Sequence, residues 1–203
     1  CEMEIDKSGA VVNHEIFESV ICSKARMVYD DVSDILENRD ETLIAKYADI
    51  YDDLVLMGEL AEILRSRRKE KGSLDENEIP VDIGISERRS ANRMIEEFML
   101  AANQTVAEHF FWMEYPFIYR VHEKPDTEKI MALKAFLAGF GISLSVNPDN
   151  IHPKALNDIL KKTQGETYEN IISTVMLRSM KKAFYSTECM GHFGLSFKYY
   201  CHF

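Results

Sequence analysis

The order of apolar and polar residues changes rhythm several times along the chain. Residues 2–22, EMEIDKSGAVVNHEIFESVIC, alternate and then bunch, and Lys7-Ser8-Gly9 suits the turn of a hairpin between two short strands. The next stretch, SKARMVYDDVSDILEN, sets Tyr29, Val32, Ile35 and Leu36 at helical spacing. From Glu41 one long helix is predicted. Leu43, Tyr47, Ile50, Leu54, Met57, Ala61 and Leu64 alternate gaps of four and three, a narrow seam facing a core. It closes in RSRRKEKG, a charged end read as solvated, with Gly72 where helix C-termini favour glycine.

Residues 72–80 read as a loop and VDIGI, 81–85, as a short strand. Ser86 is the expected cap of a second long helix reaching about Met113. Its apolar stripe is Met94, Ile95, Phe98, Met99, Ala102, Val106, Phe110 and Met113, while Asn92, Glu96 and Asn103 share another face. After Pro116, FIYRVH alternates like a strand, with Phe117, Tyr119 and Val121 on one side and Ile118, Arg120 and His122 on the other. Helices follow at about 126–140, at 153–163 with Pro153 in the first turn, and at 167–182, the last ending in Arg178, Lys181 and Lys182. The tail AFYSTECMGHFGLSFKYYCHF reads as short strands and turns. Helices dominate and the strands are separated, so the expected class is α+β, helix-rich with short antiparallel strands.

A chain of 203 residues, 46% apolar, can bury one large core or two small ones. No apolar run is long enough to span a membrane, and the first residues are acidic rather than a basic leader. An alternating stretch starts at the first residue and the last residues, FKYYCHF, are apolar, which is expected of a segment cut from a longer chain. Cys1, Cys22, Cys189 and Cys201 lie far apart, so free thiols in a reducing cytoplasm are expected. The net charge of −10 excludes a surface that attracts phosphate everywhere; a nucleic-acid role needs a local positive site, a metal ion or further domains.

Standard chemistry is absent from the pattern. There is no phosphate-binding Walker loop, GFG at 139–141 is too short for a dinucleotide turn, and no Gly-x-Ser-x-Gly elbow occurs. Cys189, His192, Cys201 and His202 match no zinc spacing. His14, His109 and His152 read as capping or core residues, and the Asp pairs at 30–31 and 52–53 as solvated. In the aromatic run HFFWMEYPFIYR, Phe110, Trp112 and Phe117 are assigned to the core, because packed rings are commoner than stacking platforms.

Several stretches go further. CEMEIDKSGAVVNHEIFESVICSKARMVYDDVSDILEN, ERRSANRMIEEFMLAANQTVAEHFFWMEYPFIYRVHEKP, NPDNIHPKALNDIL, ISTVMLRSMKKAFYS and GHFGLSFKYYCHF closely resemble the catalytic RNB domain of the ribonuclease II/ribonuclease R family, its bacterial ribonuclease R members most of all. The resemblance covers nearly the whole chain. It implies a central segment, residues 1–203, of a processive, magnesium-dependent 3′-to-5′ exoribonuclease that releases nucleoside 5′-monophosphates from single-stranded RNA. A cytoplasmic monomer with no DNA or membrane partner is expected.

The same resemblance places the family's metal-binding aspartates before the stretch matching Cys1 and its catalytic arginine motif after the stretch matching His202-Phe203. The magnesium ligands are therefore not expected in this chain, and the isolated chain is expected to be inactive; the alternative is a non-catalytic RNA-binding or structural fragment. Tyr29 matches a family tyrosine that contacts the RNA end, and Glu96 a glutamate that contacts the terminal nucleotide. Asn92, Arg93, Arg120 and His122 are the further candidate RNA contacts. KGSLDENEIPVDIGI departs from the family pattern after Asp75, where an aromatic clamp and a strand are missing.

Overall fold

The structure, a computed structural model, describes residues 1–74 and 89–203. The expected strand at 81–85, the Ser86 cap and the shortened motif after Asp75 lie outside the described residues. The chain divides into two compact units, residues 1–67 with 86–106 and residues 68–85 with 107–203. Helices predominate, and the described strands form two separate antiparallel pairs, so the class is α+β as expected.

In the first unit β1 (Glu2–Ile5) and β2 (Val11–Glu15) form the expected hairpin, with Glu2 opposite Glu15. Its turn closes on one carboxylate. Asp6 accepts from the Ser8 N–H, the Ser8 hydroxyl and the Ala10 N–H at 2.7–2.9 Å. Arg67 then donates to the carbonyl and hydroxyl of Ser8, 3.1 Å each. Helix α1 (Tyr29–Ser33) runs on into a π-helical turn, Asp34–Asn38, which ends at Arg39 with a left-handed φ of 53°. Val32 and Ile35 enter the core there, beside Leu54, Ala61, Ala91 and Met94.

The single helix expected from Glu41 is broken. It becomes α2 (Glu41–Lys46), a 3-10 turn (Ala48–Ile50) and α3 (Tyr51–Glu70). Asp40 caps α2 by accepting from the N–H groups of Thr42 and Leu43. The break falls at Tyr47 (φ −115°, ψ 30°). The Tyr47 hydroxyl donates to Asp31 at 2.9 Å, and Lys46 reaches the same carboxylate at 3.2 Å. Two consecutive side chains drawn to one anion suit a turn better than a continuing helix, where neighbours point about 100° apart. Asp31 is thus a bonded residue and not merely a solvated one. The apolar seam survives the break: Leu54, Ala61 and Leu64 are buried.

Helix α4 spans Ser90–Trp112. In the second unit β3 (Tyr119–Val121) pairs with β4 (Phe184–Ser186), Arg120 opposite Tyr185. Helices α5 (Thr127–Ala138) and α6 (Pro153–Thr163) follow the predicted spans closely, whereas α7 (Glu169–Ser179) is shorter than expected: the chain turns extended at Met180, leaving Lys181 and Lys182 outside the helix. Helix α7 packs on both α5 and α6. Ile130, Leu133, Leu137, Leu156, Ile172 and Met176 fill the space between them and are no more than 1% exposed. Each such side chain contributes roughly 1.5–3 kcal/mol relative to leaving it in water. The His152 ring caps α6, its Nδ1 accepting from the Lys154 N–H at 3.2 Å.

The charged end RSRRKEKG is not wholly solvated. Arg68 is only 5% exposed, and its guanidinium donates to the Ser73 hydroxyl at 2.8 Å. The Ser73 carbonyl accepts from the Asn157 amide at 3.1 Å, and the Leu74 N–H donates to the Gly194 carbonyl at 2.7 Å. A buried guanidinium is tolerable where a partner such as this hydroxyl replaces its water. Gly72 lets the chain pass: its φ is +90°, and a Cβ there would lie 2.6 Å from Lys154 Cβ. Gly72→Ala should therefore lower stability by about 1–3 kcal/mol. The urea midpoint should fall at an unchanged m-value; an unmoved midpoint would contradict this packing.

Candidate functional site

Four of the six candidate residues belong to the first unit, around the N-terminus of α4. The first N–H groups of a helix have no partner within it and must find one outside. Here the partners come from the α1 segment. Glu37, in the π-helical turn, accepts from the Ser90 N–H at 2.8 Å and from the Ser90 hydroxyl at 2.6 Å. Ser33 accepts from the Ala91 N–H at 3.3 Å. Arg89, just before the helix, bonds Asp34 and reaches Glu37 at 3.0 Å and Asp30 at 3.7 Å. Hydrogen bonds from Ser90, with Arg89 beside them, hold the Glu37 carboxyl down to about 2. An anion at this end also suits the helix dipole.

This network fixes what it connects. Tyr29 is the first residue of α1 and is 52% exposed, so it is not a core aromatic. Asn92, Arg93 and Glu96 lie in the first two turns of α4: Arg93 is exposed, while Asn92 and Glu96 are half-buried. Arg89 serves Asp30, Asp34 and Glu37 together. A cavity of about 500 Å³ opens in this unit, lined by Arg93, Ser90, Glu97, Arg65, Glu62 and apolar residues of α3 among others.

Arg120 and His122 belong to the second unit, on one face of β3. The expected alternation holds there: Tyr119 and Val121 are buried and Ile118 is 61% exposed. The Arg120 guanidinium carbon lies over the ring of its cross-strand neighbour Tyr185, 4.7 Å from the ring centre. His122 holds a loop instead. Its Nδ1 accepts from the Gly194 N–H at 3.2 Å, and its carbonyl accepts from the Phe193 N–H at 2.8 Å. The His192 ring lies edge-on to it at 5.0 Å. Burial, and after it His122, Arg120 and His202, push His192 down to about 3.

The aromatic run divides. Phe110 and Phe117 are half-buried and stacked at 4.8 Å, in keeping with a packing role. Trp112, expected in the core, is 69% exposed. The reason is local. Helix α4 ends at Trp112, and Glu114 reverses the chain with a φ of 55°. The last ring is thereby left beyond the packed part of the helix.

Among the described residues no three His, Cys, Asp or Glu side chains are gathered so that they could hold a metal ion. The described residues do not fit a magnesium pair. No helix among the described residues is long and apolar enough to cross a membrane.

Comparison with known proteins places this geometry. The RNB domain model matches residues 1–203, so the chain belongs to the RNB-domain family. It is 42% identical to ribonuclease R of Thermotoga maritima, covering 100% of this chain and 30% of that protein. It is 40% identical to ribonuclease R 1 of Lactococcus lactis, covering 100% and 26%. The structure superposes with a TM-score of 0.84 on Mycoplasma genitalium RNase R in complex with ribose methylated single-stranded RNA, at 26% identity, over 99% of this chain and 33% of that one. The chain thus spans a third or less of these relatives.

The Glu37 cap is unreadable from periodicity because its donor and acceptor lie far apart in the chain. The available signal is Arg89 at a helix start, where basic residues are unfavourable unless carboxylates answer them. Glu37→Gln should cost about 1–2 kcal/mol at neutral pH, as loss of a charged hydrogen bond does. Because the folded carboxyl lies below its usual 4.5, its contribution is complete above that pH and is lost as pH falls toward about 2. Stability curves of the two proteins should converge there; curves that stay parallel would refute the cap. His192 acts in the same direction. Held neutral in the fold, it favours unfolding as pH drops from 6.5 toward about 3. His192→Asn, which keeps an acceptor but cannot titrate, should flatten the stability profile over that range in chemical denaturation.

Proposed function

We propose that this chain is the central part of the catalytic domain of a 3′-to-5′ exoribonuclease that hydrolyses single-stranded RNA to nucleoside 5′-monophosphates with magnesium. In this reading Tyr29 meets the RNA end, through its ring face or its hydroxyl. Glu96 accepts from the terminal ribose 2′-OH, the group that distinguishes RNA from DNA. Asn92 and Arg93 contact the strand beside them. Arg120 adds a further contact, and His122 acts through the loop that carries Gly194. The whole-chain match to the RNB domain carries the reading. The partly exposed Tyr29 and the side-chain cap that ties its helix to the start of α4 support it.

The reaction needs more than these groups. Phosphodiester hydrolysis wants an activated water and a stabilised leaving oxygen, which two divalent ions roughly 4 Å apart supply in such nucleases. Tyr29 and Glu96 can position an RNA end but cannot replace that charge. The chain is a monomeric cytoplasmic segment in this proposal, with cation ligands and catalytic arginine on other parts of a longer protein. No disulfide joins its four cysteines, in keeping with a reducing compartment. Incubated with uniformly labelled oligo(A) and magnesium, the 203-residue chain should release no labelled mononucleotide above background. Robust release would show that this segment holds a complete site.

A further inference from the structure

We infer that the cavity at the C-terminal end of α4 is a docking site for an arginine side chain of a partner polypeptide. The cavity, about 500 Å³, is lined by five aromatic residues, Phe111, Trp112, Tyr115, Phe117 and Tyr119, and by Glu114. Among the described residues lining it, Glu114 alone is charged, and it is acidic. Tyr199 extends the aromatic wall, 4.7 Å from Phe111 and 6.2 Å from Trp112.

Three fields there favour a cation. Aromatic faces carry negative charge density and attract a guanidinium laid upon them. The Glu114 carboxylate supplies a full charge. The helix end supplies the negative pole of its dipole. The chain folds back over that end, Met113, Glu114 and Tyr115 donating to the carbonyls of His109, Phe111 and Phe110 at 3.1–3.3 Å. Arginine is favoured over lysine because it is flat and weakly hydrated, and so loses less on leaving water for a ring face. The same unit already stacks Arg120 on Tyr185. A polypeptide is favoured over a small amine because Met113, Trp112 and Tyr115 remain 49–69% exposed around the cavity, offering apolar contact to residues flanking the arginine. RNA is disfavoured: its phosphates would meet Glu114 and the helix pole.

Trp112 is the chain's one tryptophan, so its fluorescence reports on this cavity directly. The test titrates the chain with the peptide acetyl-Gly-Arg-Gly-Arg-Gly-amide, with the same peptide carrying citrulline, and with oligo(A), at matched ionic strength. Citrulline keeps the shape of arginine and removes its charge. The arginine peptide should give a saturable shift, roughly ten-fold stronger in affinity than the citrulline peptide. Glu114→Gln and Tyr115→Leu should each weaken it about five-fold, with circular dichroism unchanged. No saturable response, equal response to both peptides, or tighter saturation by oligo(A) would overturn the proposal.

Discussion

One carboxylate organises the first unit. Glu37 sits in a π-helical turn and closes the open N-terminus of α4 through Ser90. A helix end buried without a partner is costly, because amide groups that lose water must regain a hydrogen bond. Arg89 neutralises the anion and binds Asp34 in the same step. The result is a joint in which charge, capping and helix dipole act together. Asn92, Arg93 and Glu96 take their positions from the helix it begins, and Tyr29 from the helix on the other side.

The second unit depends on packing more than on charge. Helices α5, α6 and α7 close on a set of fully buried aliphatic side chains. Polar contacts then pin the segments that cross this core. Ser73 and Leu74 bond Asn157 and Gly194, while the Ser196 hydroxyl donates to the Lys71 carbonyl at 2.9 Å. His122 and His192 serve the same purpose, accepting from Gly194 and Leu195. An accepting ring nitrogen must be unprotonated, which agrees with a surrounding that keeps His192 uncharged.

Much of the fold could be read from the sequence because it is written in short range. The hairpin at Lys7-Ser8-Gly9, the Pro153 start of α6 and the alternation of β3 depend on residues close in the chain. The failures share the opposite cause. Tyr47 breaks a helix because of Asp31, sixteen residues earlier. Arg68 is buried because Ser73 accepts from it in a folded-back segment. Trp112 is exposed because the helix ends beneath it. Tyr29 and Glu96 are reached through family resemblance, not periodicity; pattern alone favours a core aromatic for Tyr29 and an ion pair with Arg93 or Arg89 for Glu96.

The π-helical turn at Asp34–Asn38 holds one more residue than the α-helical path between the same ends would need. Losing a single residue from it would restore a regular helix and rotate the downstream residues by about 100°. Glu37 would then face away from Ser90, and the amides at the head of α4 would lie open. Length variation is usually tolerated between secondary elements, yet here a one-residue deletion would disturb the joint more than many substitutions in the apolar interior. That stretch is where insertions and deletions among sequences sharing this architecture should be scarcest.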